Sequence, residues 1–369
     1  MLKLSENCKE PSFCRFQFGD SASSVTIQEQ FPRSRSELHH LTGTSEDCIA
    51  VCDINTAILA QGLDIPFLTL PTGEEHKQWP AVEKILRFAR AKGLGRDGFF
   101  IGIGGGVIGD LTGFAASVYM RGARLCLVST TLLGMADASL GGKTGIDLAG
   151  LKNLAGSLYP AETVYMPLPA LNTLPEREWK SGMAELIKTA VLDSEDFLQL
   201  TKKLLTLQES GRNSPAYREC LAECISRAVA YKGSVVEADP RETGELRPLL
   251  NLGHSFGHAL EGAAGLGAIS HGEAVAWGMA RSCELGLKLG VTPPERAKEI
   301  TDILVRAGYE TRSPHPMMKS ADMLWSALLS DKKQIAGKLR FIVPSKKSAR
   351  VVSAADSGDD LLRSILHIE

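Results

Sequence analysis

A continuous apolar run that leads directly into a glycine cluster is the feature that most constrains the fold of this chain. Residues Phe99–Ile103 read FFIGI and are followed at once by GGGVIGD, from Gly104 to Asp110. A strand that is apolar at every position is typical of a parallel sheet covered on both faces. Glycines between such a strand and a helix let backbone N–H groups approach a phosphate, and the helix dipole favours its negative charge. The segment therefore predicts a strand, a turn and a helix within an α/β domain.

The glycine cluster is open to two interpretations: a dinucleotide or phosphate site, or a tight turn with close helix–sheet packing. It lacks the spacing of both the first-turn G-x-G-x-x-G pattern and the P-loop. A later GGKT segment also fails the P-loop pattern, because Asp137 stands where the partner glycine is required. We favour ligand binding, with Lys143 and the nearby Lys152 and Asn153 as candidates for contacting a phosphate or carboxylate. The apolar surroundings of Lys143 argue against a plain exposed lysine.

The spacing of apolar residues changes near Trp179 and divides the chain into two domains. Before this point, short apolar runs alternate with a helical pattern, which predicts strands over Cys48–Cys52, Phe67–Leu70, Phe99–Ile103 and Leu125–Ser129 and a helix over Trp79–Lys92. After it, the sequence predicts helices over Glu178–Leu192, Phe197–Gln208, Tyr217–Ala238, Ser255–Leu266, Gly272–Leu289, Pro294–Gly308, Ala321–Ser330 and Asp359–His367, with one strand over Leu339–Val343. We expect an α/β domain over residues 1–175 and a mostly helical domain over 176–369. The cleft between two such domains is the usual place for a small-molecule site.

Composition excludes several classes of protein. The 369 residues are 44% hydrophobic and carry a net charge of −2, without the basic stripe of a nucleic-acid binder. The longest uncharged stretch is too short to span a bilayer, and no signal peptide is recognised. The eight cysteines form no C-x-x-C pair, and we expect reduced, mostly buried thiols. These observations predict a soluble cytoplasmic protein that binds neither nucleic acid nor membranes.

Three histidines near residue 260 are the strongest candidates for a metal or anion site. His254 and His258 are four residues apart and share one face of a helix, and a glycine-rich turn brings His271 back alongside them. Two histidines and a carboxylate with one open position are typical of a catalytic zinc site. The H-E-x-x-H motif is absent, so the carboxylate must come from elsewhere, and Glu185 is attractive because it lies among small and apolar residues. We favour a metal or anion site over histidines that only fill the core.

Taken together, these segments resemble the 3-dehydroquinate synthases, a family of sugar-phosphate cyclases. The resemblance runs from about Leu70 to Pro344 and rests on motifs in family order: GGGVIGDLTGFAASVYMRG, TTLL, GGKTG, LKN, TLPEREWKSGMAELIK, ETGELRPLLNLGHSFGHALE, HGEAVAWGM and SDKK. It implies a glycerol-dehydrogenase-like fold, with a nucleotide-binding α/β domain before a helical metal- and substrate-binding domain. It also implies a lyase that converts 3-deoxy-D-arabino-heptulosonate 7-phosphate to 3-dehydroquinate and phosphate in the shikimate pathway of aromatic amino acid biosynthesis. The resemblance further implies that bound NAD⁺ oxidises one carbon of the substrate and that the NADH so formed reduces the same carbon back in each turnover.

The resemblance also assigns roles to residues of this chain. Zn²⁺ or Co²⁺ would bind Glu185, His254 and His271. The substrate contacts would be Lys143, Asn153, Lys188, Lys232, Arg247, Asn251, His258 and Lys332 or Lys333, with Arg121 lent across a homodimer interface. The NAD contacts would be Asp53, Glu74, Glu75, Lys77, Gly105, Gly106, Val107, Ile108, Gly109, Asp110, Thr130, Thr131, Asp137, Lys143, Lys152, Thr173, Leu174 and Glu178, with Asp53 on the ribose hydroxyls.

The chain departs from the family pattern in three places. The stretch from Asp53 to Leu70 is short, as if the helix after the first strand were trimmed, and Thr72 and Asp147 replace a usual Asp and Asn. None of these changes touches the implied metal or substrate positions. A cyclase that makes 2-deoxy-scyllo-inosose or a valiolone remains an alternative, and so does a glycerol-dehydrogenase-like oxidoreductase. We favour the dehydroquinate reaction because Arg247, Asn251 and His258 match its carboxylate-binding pattern.

Overall fold

The computed structural model describes residues 8–10, 13–265, 267–334 and 340–367, with side chains except those of 8–10, 330–334 and 354–358. The chain divides into two compact units. The first unit comprises Met1–Pro175 and Val229–Arg241, and the second comprises Glu176–Ala228 and Glu242–Glu369. None of the helices in the described part of the chain combines the length and the apolar character that a membrane span needs.

The first unit is an α/β structure built on one large sheet. Its strands are β1 Cys8–Glu10, β2 Phe13–Phe18, β3 Ser21–Gln28, β4 Cys48–Asp53, β5 Phe67–Leu70, β6 Phe99–Gly104, β7 Arg124–Ser129, β8 Lys143–Leu148, β9 Leu151–Leu158 and β10 Thr163–Pro167. Its helices are α1 Arg35–Thr42, α2 Ala57–Gln61, α3 Trp79–Ala91 and α4 Gly106–Val118.

Among the described residues, eight strands pair in the order β1-β2-β3-β10-β7-β6-β4-β5, and β8 and β9 form a separate antiparallel hairpin. Across the sheet, the strands β3, β10, β7, β6, β4 and β5 pair in parallel with their neighbours. The pairs β1–β2 and β2–β3 are antiparallel. Every residue of β6 is buried, which explains its continuous apolar sequence. Because β4, β6 and β7 are parallel neighbours, their carboxyl ends bring Asp53, Gly104 and Thr130 to one edge of the sheet.

The second unit is mostly helical. Its elements are α5 Glu176–Asp193, α6 Glu195–Glu209, α7 Pro215–Ala238, α8 His254–Ala264, α9 His271–Lys288, α10 Pro294–Arg306, α11 Ala321–Gln334, β11 Arg340–Pro344, β12 Ala349–Ser353 and α12 Ala354–Leu366. The last turns of α7, from Val229, belong to the first unit. Trp277 is fully buried in the core of the second unit, where Phe256 stacks on Phe341 with ring centroids 4.8 Å apart. The guanidinium of Arg281 stabilises this core by donating hydrogen bonds to the carbonyl oxygens of Thr311 and Ile365.

The predicted fold class, a parallel-sheet α/β part followed by a mostly helical part, is confirmed. The four predicted strands of the first part and the predicted helices of the second occur within a few residues of their expected bounds. Helix α2 has only five residues, in agreement with the expected trimming after β4. The cysteine prediction holds for six free, buried thiols and is wrong for Cys14, which is disulfide-bonded.

Candidate functional site

Three helices of the second unit bring a carboxylate and two imidazoles together. Glu185 lies on α5, His254 begins α8 and His271 begins α9. Oε1 of Glu185 lies 3.7 Å from Nε2 of His254 and 3.4 Å from Nε2 of His271, and one ligand atom of each residue lies within 4.8 Å of the others. The carboxylate is fully buried, whereas the His271 side chain keeps 31% of its exposure. The cluster is therefore open on one side.

Glycine contacts and a helix cap explain why the two histidines meet the carboxylate. A Cβ on Gly278 of α9 would lie 1.9 Å from the carbonyl oxygen of Gly253, and one on Gly272 would lie 2.3 Å from Cα of Ser181 on α5. Only glycine permits backbones to approach this closely. Ser270 caps α9 in a reciprocal capping box with Glu273, which fixes the backbone at His271, the first residue of the helix. The helix starts thus set the direction of the imidazoles.

The environment of His254 favours the form of imidazole that binds metals. Burial, reinforced by the charge of Lys188, lowers its pKa to about 3, so the ring is neutral near pH 7. Its Nδ1 lies 3.3 Å from the carbonyl oxygen of Leu252. Donation from Nδ1–H to this carbonyl leaves the lone pair on Nε2, the atom that faces Glu185.

His271 lies between two carboxylates. Its Nε2 faces Glu185, and its Nδ1 lies 3.8 Å from Oε2 of Glu261 on α8. Burial alone would lower the pKa of His271, but the contacts with Glu185 and Glu261 outweigh it and raise this pKa to about 9. Without a metal, the ring thus carries the positive charge that balances the carboxylates.

Glu185 is ionised although it is buried. Burial alone would raise its pKa, but the charge of Lys188, followed by contacts with His271 and His254, lowers the pKa well below its ordinary value. Lys188 lies one helical turn further along α5, and its buried ammonium contacts Oε2 of Glu185. Oε1 of Glu185 faces the two imidazoles and has no hydrogen bond of good geometry with any described residue. A buried carboxylate oxygen in this state indicates a position for a cation.

The donor set fits a divalent transition metal. In a tetrahedral zinc site with bonds of about 2.1 Å, donor atoms are about 3.4 Å apart, close to the distances of 3.4 and 3.7 Å measured here. Two imidazoles and one carboxylate leave a coordination position open for a substrate oxygen. Glu185, His254 and His271 can therefore hold Zn²⁺ or Co²⁺.

The first unit carries a second candidate site at the carboxyl ends of β4, β6 and β7. Helix α4 begins at Gly106, and Gly105 at its N-cap leaves the first N–H groups without a side-chain cap among the described residues. A Cβ on Gly105 would lie 2.8 Å from Cγ2 of Thr131, so this turn leaves no space for a side chain. Asp53 ends β4 and accepts through Oδ1 from the N–H and hydroxyl of Thr56. A glycine turn at a helix start beside a carboxylate at the end of the next strand suits a dinucleotide.

A buried lysine links the elements that surround this turn. Nζ of Lys77 lies 2.5 Å from Oδ2 of Asp110, 2.5 Å from Oδ1 of Asn153 and 3.7 Å from Oε1 of Glu74. Burial alone would lower the pKa of Lys77, but the charges of Asp110 and Glu74 outweigh it and raise the pKa. Asp147 holds Asn153 in place beside Lys77, because Oδ1 of Asp147 accepts from the backbone N–H of Asn153. Asn153 has φ +52°, so this bond stabilises an unfavourable backbone conformation.

Comparison with known proteins decides the family. Residues 67–181 match the sequence profile of the 3-dehydroquinate synthase N-terminal domain, and residues 182–334 match that of the C-terminal domain. The chain belongs to the 3-dehydroquinate synthase family. The predicted resemblance is thus confirmed, and the matched ranges include all three candidate metal ligands.

Solved structures with the same fold include other sugar-phosphate cyclases. A 2-deoxy-scyllo-inosose synthase complexed with carbaglucose-6-phosphate, NAD⁺ and Co²⁺ is 23% identical with a TM-score of 0.79, over 97% of this chain and 100% of that one. A 2-epi-5-epi-valiolone synthase from Streptomyces hygroscopicus subsp. jinggangensis with NAD⁺ and Zn²⁺ bound is 24% identical with a TM-score of 0.79, over 95% and 97%. A sulfoacetaldehyde reductase from Bifidobacterium kashiwanohense in complex with NAD⁺ is 15% identical with a TM-score of 0.63, over 93% and 96%. The fold of the 3-dehydroquinate synthase family is shared with these proteins.

The other family positions fall into several environments. Lys232 lies in the first unit, where its Nζ donates to the carbonyl oxygen of Asp137 at 2.7 Å and lies 3.0 Å from Oδ2 of the same residue. Arg247 is buried in the second unit, with Nε 3.9 Å from Oε2 of Glu242. Asn251 is half-buried, and His258 is exposed with its ring centroid 5.4 Å from that of His254. Lys332 and Lys333 lie on α11, but their side chains are outside the described part of the structure.

The expectation about the surroundings of Lys143 needs correction. Lys143 was expected to avoid a plain exposed position, but it is exposed at the start of the β8–β9 hairpin. Arg121 is exposed with φ +69°, and its expected role across a dimer interface stays a prediction. The remaining positions expected to contact NAD lie in several elements, and their role stays a prediction: Val107, Ile108 and Gly109 in the first turn of α4, Thr130 and Thr131 after β7, Glu75 in the turn before α3, Lys152 in β9, Thr173 and Leu174 before α5, and Glu178 in α5.

Sequence reasoning missed Glu261. It lies seven residues after His254 and three after His258, which places all three on one face of α8. The segment LGHSFGHALE contains this spacing, but the prediction considered only its histidines as site residues. The direct contact of Lys188 with Glu185 was also missed, although the i, i+3 spacing permits it.

Proposed function

We propose that this chain is a 3-dehydroquinate synthase that converts 3-deoxy-D-arabino-heptulosonate 7-phosphate to 3-dehydroquinate and inorganic phosphate. The observation that carries the proposal is the buried Glu185 with two imidazole Nε2 atoms beside it, in a chain of this family. An NAD-dependent phosphate-eliminating lyase of the shikimate pathway needs this metal centre together with a dinucleotide site. We assign residues 1–175 to NAD binding and 176–369 to metal and substrate binding, and we expect the protein to act in the cytoplasm.

The metal ligands are Glu185, His254 and His271. When bound, Zn²⁺ or Co²⁺ supplies Lewis-acid stabilisation of negative charge on substrate oxygens, and NAD supplies the reversible oxidation of one ring hydroxyl. Lys188 holds Glu185 ionised through a buried contact. His258, exposed beside His254, is placed to carry a proton to or from the leaving phosphate.

The cationic and amide side chains bind the two anionic groups of the substrate. Arg247, Asn251, Lys143, Asn153 and Lys232 are the donors for carboxylate and phosphate, and fixed donors stabilise charge without reorganisation. Lys232 is already fixed by Asp137, and Asn153 by Asp147 and Lys77. The bound NAD⁺ of similar cyclase structures supports placing its pyrophosphate at the start of α4 and its ribose on Asp53.

We propose that the protein is a homodimer and that the β8–β9 hairpin takes part in the interface. Leu148, Leu151, Leu154 and Leu158 on this hairpin are each between 45% and 52% exposed. A cluster of exposed leucines on one short hairpin is typical of a protein–protein contact. Met120, beside Arg121, is 51% exposed as well, which supports the family role of Arg121 in a partner subunit.

Phosphate release tests the proposed reaction. The purified protein is given the heptulosonate phosphate, Zn²⁺ or Co²⁺, and NAD⁺ at a tenth of the substrate concentration. We expect phosphate in excess of the NAD⁺ supplied, because NAD⁺ is regenerated in each turnover. Absence of phosphate release with the metal bound would contradict the dehydroquinate reaction.

Two further measurements separate this function from its alternatives. Glucose 6-phosphate has no carboxylate, so release from it but not from the heptulosonate phosphate would identify a cyclase of the inosose type. NADH formed in proportion to a polyol substrate would identify an oxidoreductase.

His271→Ala should abolish phosphate release and leave the circular dichroism spectrum unchanged, and full activity of this variant would refute the metal assignment.

A further inference from the structure

Each metal-binding histidine has a hydrogen-bond acceptor facing its second ring nitrogen. For His254 the acceptor is the backbone carbonyl of Leu252, 3.3 Å from Nδ1. For His271 it is the carboxylate of Glu261, whose Oε2 lies 3.8 Å from Nδ1. A neutral imidazole that binds a metal through Nε2 carries its hydrogen on Nδ1, so both rings present a donor to these acceptors.

Glu261 lies beside this cluster on helix α8. Its side chain is 11% exposed and lies on the same face of α8 as His254 and His258. One oxygen of Glu261 and one ring nitrogen of both His258 and His271 lie within 4.8 Å of one another. The carboxylate of Glu261 is therefore within reach of His271 without being one of the three proposed ligands.

We propose that Glu261 is a positioning residue that orients His271 and fixes its tautomer for metal binding by accepting from Nδ1–H. The inference rests on the metal centre of the proposed function, and it assigns the residue that holds one of its ligands. The distance of 3.8 Å exceeds that of a hydrogen bond, and we expect it to shorten when the metal draws Nε2 into coordination.

The same residues also suggest a second cation held by His258, Glu261 and Nδ1 of His271. Both sets consist of one carboxylate and two imidazoles, but His258 is exposed whereas Glu185 is buried, so this set is less buried than the first one. The positioning role needs no second ion and uses the same geometry. The two roles differ in metal stoichiometry, which the experiment below measures.

The experiment titrates the metal-free full-length protein with Co²⁺ and follows the visible absorption of the bound ion. Glu261→Ala should weaken cobalt binding by about 10- to 100-fold, the usual effect of losing a carboxylate behind a histidine ligand. Glu261→Gln should restore most of the affinity, because its amide oxygen still accepts from Nδ1–H. All variants should bind one equivalent. The control is Glu284→Gln, which removes a negative charge on α9 about 20 Å along the helix from His271 and should bind like the wild type.

Several outcomes would overturn the proposal. Unchanged affinity in Glu261→Ala would show that Glu261 does not position His271. Two equivalents in the wild type and one in Glu261→Ala would identify a second metal site instead. Equal losses in the Gln and Ala variants would indicate a charge effect and not a hydrogen bond. Cobalt binding is measured without substrate, so these results stand even where phosphate release fails and the proposed reaction is wrong.

Discussion

At the scale of single residues, the buried pair of Lys188 and Glu185 is the most consequential contact. Their side chains are 1% and 0% exposed, so neither charge is stabilised by water. A buried pair contributes little net stability, but removal of one partner leaves an uncompensated charge. A metal at the same carboxylate would supply a second compensating charge.

Lys188→Met should therefore make the stability of the protein depend on metal. We expect the metal-free variant to lose about 3–5 kcal/mol, because the Glu185 carboxylate stays buried without its cation. Zinc should raise the unfolding temperature of the variant more than that of the wild type. Thermal unfolding with EDTA and with Zn²⁺ measures both effects. Lys180→Met, on the same helix but partly exposed, is the control, and an equal zinc response in all three proteins would contradict the prediction.

His315 predicts a pH dependence outside the metal centre. It is 7% exposed, its Nδ1 accepts from the N–H of Met317 at 3.1 Å, and its ring packs edge-on against Trp277. Burial lowers its pKa, and the charges of Glu310 and Glu273 offset this only in part. The unfolded chain therefore takes up a proton near pH 6.5 that the folded protein accepts only at lower pH. Its contribution to stability is complete above pH 6.5 and is lost as pH falls through the folded pKa.

His315→Asn should flatten this dependence. Asn retains an acceptor for the N–H of Met317 but does not titrate. Between pH 8 and pH 5.5, the wild type should lose more free energy of unfolding than the variant, with a difference in slope of at most about 1.4 kcal/mol per pH unit. Urea unfolding at several pH values measures the slopes. Parallel slopes in the two proteins would show that His315 does not titrate in this range.

At the scale of elements, serine side chains cap the N-termini of two helices, of which only one begins with a candidate metal ligand. Ser194 caps α6 by accepting from the N–H of Phe197, and Ser270 caps α9 by accepting from that of Glu273. Helix α6 carries no candidate ligand, whereas α9 begins with His271. The pair therefore separates the stabilising effect of a cap from its effect on the metal centre.

Ser194→Ala and Ser270→Ala should each lower the free energy of unfolding by about 1 kcal/mol, the usual effect of losing an N-cap side chain. Only Ser270→Ala should also weaken cobalt binding, since it loosens the backbone at His271. Chemical unfolding and cobalt titration of both variants make the test. Unchanged cobalt affinity in Ser270→Ala would show that the cap does not set the direction of the imidazole.

The elements differ in how far the sequence could predict them. Helices α5 to α10 were predicted because each buries an apolar stripe, and β6 because all of it is buried. The β8–β9 hairpin was missed because its leucines face outward, so no alternation between buried and exposed residues marks the strands. Strands β2 and β3 do alternate, with Phe16 and Val25 on their buried faces, but serines weaken the apolar signal of β3.

The candidate site shows the same limit. The sequence predicted a metal site at Glu185, His254 and His271 because few residue types bind metals and the family motifs fix their order, and the structure brings these three residues together. It could not show that Lys188 turns inward against Glu185, or that Glu261 faces His271, because side-chain direction depends on how α5, α8 and α9 pack. Spacing along α5 permits the contact of Lys188 with Glu185 without requiring it, and the contact of Glu261 with His271 joins two helices, which spacing along one helix cannot reveal.

At the scale of the whole molecule, the exposed leucines of the β8–β9 hairpin predict a dimer with this hairpin in its interface. Leu154→Glu combined with Leu158→Glu should convert the dimer to a monomer, because two carboxylates would be buried in an apolar contact. Light scattering after size-exclusion chromatography gives the mass. Leu287→Glu, at a leucine 39% exposed on α9, is the control. An unchanged mass in the double variant would show that the hairpin lies outside any interface.

The return of residues Val229–Arg241 to the first unit determines how this protein can be divided. A Cβ on Gly233 would lie 2.2 Å from the ring of Phe16, and Glu237 accepts from the backbone N–H of Gln17 at 2.7 Å. A fragment that ends at residue 175 therefore lacks Lys232 and exposes the ring of Phe16, which is 1% exposed in the intact chain. No single cut yields the whole first unit. A two-piece version of this protein must supply the end of α7 to the N-terminal piece, or that piece will expose apolar surface and lack the lysine that we propose binds substrate.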